Sequence, residues 1–167
     1  MTYRPSVIPF GGRALDAEEL AALDRDMEAI VVGSHLFKSL DADSRANLIQ
    51  SGFVMKYAAG ETVLKEGDPG DTMFIVMTGT VHVETHGAAG NVHLAELGRG
   101  ACVGEVSVLT RAVRTATVTA ITDVTVATFA RHRVNRVLDG APKVRALLEQ
   151  LIEGRAKDAV GKIIGSG

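Results

Sequence analysis

Apolar residues recur at helical spacing near the start of the chain. Asp16 can cap a helix there with Glu19 as its reciprocal partner, and Gly33 can end it. A second short helix is expected from Asp41 to Gln50. The first pattern predicts one helix whose apolar face carries Leu20, Leu23, Met27 and Ile30.

The pattern changes at Phe53, after which short alternating runs are separated by glycines about every eight to twelve residues. Such spacing is typical of a β sandwich or barrel. The segment Gly87–Gly90 predicts a hairpin loop. The clearest strands are Phe53–Tyr57, Met73–Thr78, Thr80–Thr85, Val92–Leu97, Thr115–Ala120 and Val124–Phe129.

Helical spacing returns after the strands. A short helix is predicted from Arg131 to Leu138, and Gly140 with Pro142 separates it from another. An apolar stripe on the last helix requires a surface to cover it. Its members are Val144, Leu147, Leu148, Leu151 and Ile152.

Composition narrows the class of protein. The 167 residues suit a single domain, with 46% of them apolar and 23% charged. A net charge of −2 and 4% aromatic residues disfavour binding of nucleic acid or anionic lipid. No apolar run reaches membrane-spanning length, and the start lacks the apolar core of a signal peptide. The lone Cys102 fits a reducing compartment, so we expect a cytoplasmic protein.

Residues 104–116, here called the cassette, have the composition of an anion site. Gly104 allows backbone to approach a ligand, and turn amides attract phosphate. Arg114 can hold a phosphate through two parallel hydrogen bonds. Glu105 would repel phosphate, so its natural partner is a sugar hydroxyl. Phosphate and ribose in one small pocket indicate a nucleotide, and no nucleophile with a partnered base accompanies them.

The cassette resembles the phosphate-binding cassette of cyclic nucleotide-binding domains, and the resemblance covers about residues 35–153. Val103 stands where the family usually has an aromatic residue. The fold that the resemblance implies is α+β, with an eight-stranded antiparallel β roll of the jelly-roll type, N-terminal helices and two C-terminal helices. Further motifs in the family's order are Tyr57–Val63, Lys65–Asp71, Phe74–Val81 and Leu97–Gly100.

The resemblance also implies residue roles. The backbone from Gly104 through Val106 to Ser107 would hold the cyclic phosphate, Arg114 would neutralise its charge, and Glu105 would accept the ribose 2′-hydroxyl. The ligand would be cAMP in preference to cGMP, although threonine after the arginine is associated in this family with tolerance of cGMP. No metal and no further cofactor are expected. Thr115 and Ala116 would complete the phosphate side, and Val83, Leu97 and Val103 would line the sugar and base.

These roles predict a non-catalytic sensor. Its parts would be an N-terminal arm and helix at 1–34, a cyclic nucleotide-binding domain at 35–153 and a helical tail at 154–167. We expect a stand-alone sensor or regulatory subunit that signals through its flanking helices to an effector protein. The C-terminal helix could pair with a second copy of the chain. Val144, Leu147, Leu148 and Leu151 are the candidate residues of a lid over the pocket.

Two other classes of protein remain open. His82 and His86 alternate on one strand with Glu84 between them, and His93 lies on the next, which could ligate a metal in a cupin-type enzyme. Val81 and Val83 share the opposite face and should take the interior, leaving these histidines to solvent. The other class is an interaction module that binds no nucleotide, against which the intact Glu105 and Arg114 argue.

Overall fold

The computed structural model describes residues 13–110 and 113–150. Two antiparallel sheets pack face to face, and helices cover the outer face of one of them. The strands are β1 (Arg13–Ala14), β2 (Phe53–Tyr57), β3 (Thr62–Leu64), β4 (Thr72–Thr78), β5 (Val81–Gly87), β6 (Gly90–Leu97), β7 (Cys102–Val103), β8 (Thr117–Ala120) and β9 (Val124–Ala130). The helices are α1 (Ala17–Arg25), α2 (Met27–Gly33), α3 (His35–Ser39), α4 (Ala42–Gln50), α5 (Glu105–Thr110) and α6 (Arg131–Asp139), and 142–150 are also helical.

The sheets confirm the predicted β roll. One has the order β1-β2-β9-β4-β7 and the other β3-β8-β5-β6. The eight strands from β2 to β9 form the roll, and the two residues of β1 pair with the edge of β2. The predicted hairpin loop is confirmed by the register, in which Gly87 pairs with Gly90.

Alternation along β4 divides the interior into two cores. Met73 and Ile75 pack with the helices, in what we call the helical core. Phe74 and Val76 face the second sheet, in what we call the roll core. Because this strand is buried on both faces, its sequence is an almost continuous apolar run instead of a polar alternation.

The N-terminal helices differ from the sequence prediction in one respect. The capping box of Asp16 and Glu19 is present, but the predicted single helix to Gly33 is wrong. The chain ends α1 at Asp26, whose amide donates to the carbonyls of Ala22 and Leu23. The carboxylate of Asp26 accepts two hydrogen bonds from Arg99, at 2.6 and 2.7 Å, which ties the break to the roll.

The predicted C-terminal helices form on the helical side of the first sheet. In 142–150, Leu148 is 1% exposed within the helical core and Val144 packs beside it. Leu147 is 48% exposed, and Leu151 lies outside the described residues. No helix of the described ranges is long and apolar enough to span a bilayer. The proposed division into arm, domain and tail stays a prediction.

We predict that Phe129→Ala lowers the free energy of unfolding by about 3–5 kcal/mol. The ring is buried in the helical core and meets Phe37 edge to face, with 6.2 Å between centroids. Urea denaturation followed by circular dichroism measures the loss. Ile121→Ala is the control, since that side chain is 43% exposed and should change stability by less than about 0.5 kcal/mol. Equal losses in the two variants would contradict the assigned core.

Candidate functional site

Gly104 starts the cassette where β7 ends. Its φ of +87° is a conformation that side chains disfavour. A Cβ atom there would lie 2.8 Å from Nη1 of Arg114 and 3.0 Å from the carbonyl oxygen of Thr72. The turn into α5 therefore needs a glycine for two reasons, the backbone angle and the space that the arginine occupies.

Arg114 is the charged centre of the cassette and is 6% exposed. Its guanidinium donates to Oγ1 of Thr72 at 3.0 Å and to the carbonyl of Gly104 at 3.3 Å. Burial lowers its pKa, and Asp71 opposes this while Arg131 adds to it. No carboxylate of the described residues forms an ion pair with Arg114. The described hydrogen-bond acceptors of this buried cation are therefore neutral groups, which compensate its burial only in part.

The loop 67–71 holds Arg114 in place through its backbone. The amide of Gly67 donates to the carbonyl of Arg114 at 2.9 Å, and the amide of Arg114 donates to the carbonyl of Asp68 at 2.8 Å. A Cβ atom on Gly70 would lie 2.4 Å from Cβ of Ser107 and 2.9 Å from Cδ of Arg114. The loop is thus in close contact with Ser107 and Arg114 of the cassette.

Arg131, the first residue of α6, reaches the same loop. Its guanidinium donates to the carbonyl of Ser107 at 3.0 Å and also to that of Gly70. Its amide donates to the carbonyl of Asp71 at 2.7 Å. Arg131 therefore connects the cassette, the loop and α6.

Glu105 is 6% exposed and already has a hydroxyl partner. Its Oε2 accepts from Oγ of Ser34 at 2.7 Å and lies 3.5 Å from the thiol of Cys102. Ser34 is also the cap of α3, because its Oγ accepts from the amide of Phe37 at 3.3 Å. The carboxylate thus accepts a hydroxyl group from the N-terminal helices, and its contact with a ribose 2′-hydroxyl stays a prediction.

The remaining predicted ligand residues are distributed around the cassette. Ser107 is buried, Ala116 is half-buried and Thr115 is exposed. Val106 lies in α5, and its side chain is outside the described set, as are residues 111 and 112. The three predicted apolar residues are half-buried, and each packs against the roll core: Val83, Leu97 and Val103.

A cavity of about 800 Å³ opens into the roll, and we call it the roll cavity. Arg114 is the one predicted ligand residue that lines it. Its other walls come from β2, β3, the loop after β3, the start of β4, the end of β9 and the start of α6. These include Phe53, Met55, Tyr57, Leu64, Lys65, Asp68, Asp71, Thr72, Phe74, Thr128, Arg131 and Arg133.

The histidines on β5 and β6 do not assemble as a metal site would require. Nδ1 of His93 lies 2.9 Å from Nδ1 of His82, and Nε2 of His82 lies 3.2 Å from Oε2 of Glu84. His86 pairs with Asn91 instead. The described part of the chain contains no group of three or more His, Cys, Asp or Glu side chains arranged to hold a metal ion.

Sequence reasoning missed three residues that contact the predicted site, namely Ser34, Thr72 and Arg131. Thr72 is the first residue of β4, a strand that was predicted to begin one residue later, at Met73. Ser34 lies 71 residues from Glu105, and Arg131 lies 24 residues from Ser107. No periodic pattern connects residues at such separations, although Gly33-Ser34 does have the composition of a helix end followed by a helix cap.

We predict that Gly104→Ala destabilises the fold more than Gly67→Ala does. Both glycines have almost the same φ, +87° and +88°, so the backbone penalty of roughly 1–2 kcal/mol is common to both. No atom lies within 4 Å of the Cβ position at Gly67, whereas that at Gly104 meets Arg114 and Thr72. Urea unfolding of both variants isolates the packing contribution. Equal midpoints would show that Arg114 does not occupy this space.

Comparison with known proteins shows which family this chain resembles in sequence. The family model of the cyclic nucleotide-binding domain matches residues 54–140, just over half of the chain. The cAMP-dependent protein kinase regulatory subunit of Aspergillus niger is 34% identical over 114 residues, 68% of this chain and 27% of that protein. Lysophospholipase nte1 of Aspergillus oryzae is 31% identical over 107 residues, 64% of this chain and 7% of that protein.

A solved structure of the regulatory domain of Toxoplasma gondii PKA with cAMP superposes with a TM-score of 0.67. It is 28% identical, and the match covers 77% of this chain and 48% of that one. The chain spans 7% to 32% of the length of the curated relatives that it matches. Their common part is the segment with the cassette and the roll, and on this evidence the chain belongs to the cyclic nucleotide-binding domain family.

Proposed function

We propose that this domain binds cAMP and that the cyclic phosphate contacts Arg114 and the backbone of residues 104–107. The observation that carries this proposal is the buried guanidinium of Arg114, whose acceptors are a hydroxyl and a carbonyl. A phosphate would replace neutral acceptors with a charge-assisted pair, which is the stronger interaction. The nucleotides named for the relatives support a cyclic nucleotide as the anion.

The ribose would bind through an exchange of hydroxyl groups at Glu105. Oε2 now accepts from Ser34, and a ribose 2′-hydroxyl is a donor of the same kind. The nucleotide would take over this acceptor, so the number of hydrogen bonds to the carboxylate is conserved. Ser34 would then lose its acceptor while keeping its place as the cap of α3.

The base would lie against the apolar group of Val83, Leu97 and Val103. These side chains are half-buried at the edge of the roll core and offer surface without hydrogen-bonding groups. Adenine and guanine gain similarly from such a surface, so the distinction would depend on Thr115. Its exposed position leaves a hydroxyl available to the guanine amino group, and cGMP is therefore the second ligand to titrate.

We propose a regulatory and non-catalytic role for the domain within its protein. Relatives of different overall activity, a kinase regulatory subunit and a lysophospholipase, match this chain over the same kind of domain. Binding would be transmitted by the flanking helices to an effector protein, and pairing of two copies through the C-terminal helix is a further proposal. Pocket and helices would act as a single two-state element.

Arg114→Ala should weaken cAMP binding by at least about 2–5 kcal/mol, because it leaves the phosphate desolvated without its cation. Arg114→Lys keeps the charge but loses the planar pair of donors, so we expect an intermediate affinity. Isothermal titration with cAMP and with cGMP measures both. Arg99→Ala is the matched control, since Arg99 is an exposed arginine that binds Asp26 away from the cassette. Unchanged affinity in Arg114→Ala would contradict the proposal.

Glu105→Ala should cost less, roughly 1.5–3 kcal/mol, because it removes the charged acceptor of a neutral hydroxyl donor. The same titration measures the loss. Replacing cAMP by its 2′-deoxy analogue should reproduce the loss in the wild type and add little in the variant. If the two changes were additive, the ribose hydroxyl would bind elsewhere.

Nucleotide should also slow amide exchange in the flanking helices. Leu148 and Val144 are packed in the helical core, so 142–150 already has protected amides against which a change can be measured. We expect added protection in residues 143–150 if the C-terminal helix carries the signal, and in residues 35–39 if α3 does. Protection confined to the cassette and the roll would contradict a role for the helices.

A further inference from the structure

The roll cavity combines an apolar floor with a charged entrance. The floor is formed by the inward faces of β2, β3 and β4 and carries Phe53, Met55, Leu64 and Phe74. Its volume of about 800 Å³ is within the range of small-molecule sites. A floor of this kind binds the apolar part of a ligand and offers it no specific hydrogen bonds.

The charges at the entrance do not balance. Lys65, Arg114 and Arg131 line the cavity, against the carboxylates of Asp68 and Asp71. One terminal nitrogen of Arg131 donates to two backbone carbonyls, those of Gly70 and Ser107. No carboxylate of the described residues forms an ion pair with Arg131. The excess of positive charge favours an anionic group at this place.

Thr128 and Arg131, which both line the cavity, each contain a buried polar atom that lacks a hydrogen-bond partner. Oγ1 of Thr128 is one, in a residue that is 1% exposed, and Nε of Arg131 is the other. Thr128 lies between Phe53 and Phe74 in the register of the first sheet, so its side chain is on the inner face of the roll. A buried hydroxyl and a buried N–H without partners each cost free energy, which a ligand oxygen would recover.

We propose that the roll cavity is a second ligand site, for a medium-chain fatty acid. The hydrocarbon tail packs on the floor of Phe53, Met55 and Phe74, and the carboxylate accepts hydrogen bonds from Thr128 and Arg131. Such a ligand provides apolar length and one negative charge, and the cavity requires both. A cyclic nucleotide fits these walls less well, because neither Glu105 nor the apolar group of Val83, Leu97 and Val103 lines them.

Titration of the full chain with decanoate and with decanol tests the proposal. The two probes share a tail and differ in charge, so we expect decanoate to bind at least about tenfold more tightly. Binding of decanol with equal affinity would overturn the role of the cationic entrance, and no binding of decanoate up to its solubility limit would overturn the site itself.

Thr128→Val separates this site from the nucleotide site. Valine has nearly the same shape and removes an unpartnered hydroxyl, so the variant should fold with undiminished stability. We expect decanoate affinity to fall severalfold and cAMP affinity to stay unchanged. Unchanged decanoate binding, or an equal loss of cAMP binding, would overturn a separate site. If the wild type bound decanoate but no cAMP, the nucleotide proposal alone would fail.

Discussion

The structure of this domain depends on the guanidinium of Arg114, which is buried and forms no ion pair with a carboxylate of residues 13–110 or 113–150. Taking a charge out of water costs several kcal/mol unless other groups compensate. Here the compensation is partial: a hydroxyl from Thr72, a carbonyl from Gly104, and Asp71 at longer range. Gly104 and Gly70 lack side chains where those side chains would collide with Arg114. Arg114 therefore constrains the local geometry at Gly70, Thr72 and Gly104.

The same contacts explain how events at the cassette can reach the helices. Arg114 is bonded to the loop 67–71 through two backbone hydrogen bonds, and Arg131 bonds that loop to α6. Glu105 is bonded to Ser34 at the start of α3. Arg114 and Glu105 are thus connected to different helices. A ligand that engages both would bias both ends of the helical layer through defined hydrogen bonds, which is a physical route for coupling.

Local rules accounted for much of the fold and less of the site. The capping box at Asp16, strand β2 and the hairpin at Gly87 follow from short-range patterns, and the structure has them. The inward face of Val81 and Val83 follows from alternation alone. The break at Asp26 does not, because its carboxylate binds Arg99, 73 residues further along the chain.

The partner of Glu105 could not be predicted from the sequence either. Glu105 was predicted to accept from a hydroxyl, but Ser34 was not predicted as the donor. The roll cavity depends on side chains from four separate stretches of the chain, 51–57, 63–74, 114 and 128–133, and on one hydroxyl that no neighbour satisfies. Such features arise from packing over long sequence distances, and neither periodicity nor a motif encodes them.

Membership of the family narrows the class of ligand to consider for this chain, but it does not identify the process in which the protein acts. The matches cover only 7% to 32% of its curated relatives, which differ in overall activity. The shared domain therefore occurs within proteins of different function. Function must then be argued from the site, because one fold serves many purposes. In this chain the site residues differ in charge and chemistry: a buried cation that has no ion pair among the described residues, a buried carboxylate that accepts a hydroxyl, and apolar side chains at the edge of the roll core. In the proposed complex, the phosphate, the sugar hydroxyl and the base of a cyclic nucleotide would each contact one of these three groups.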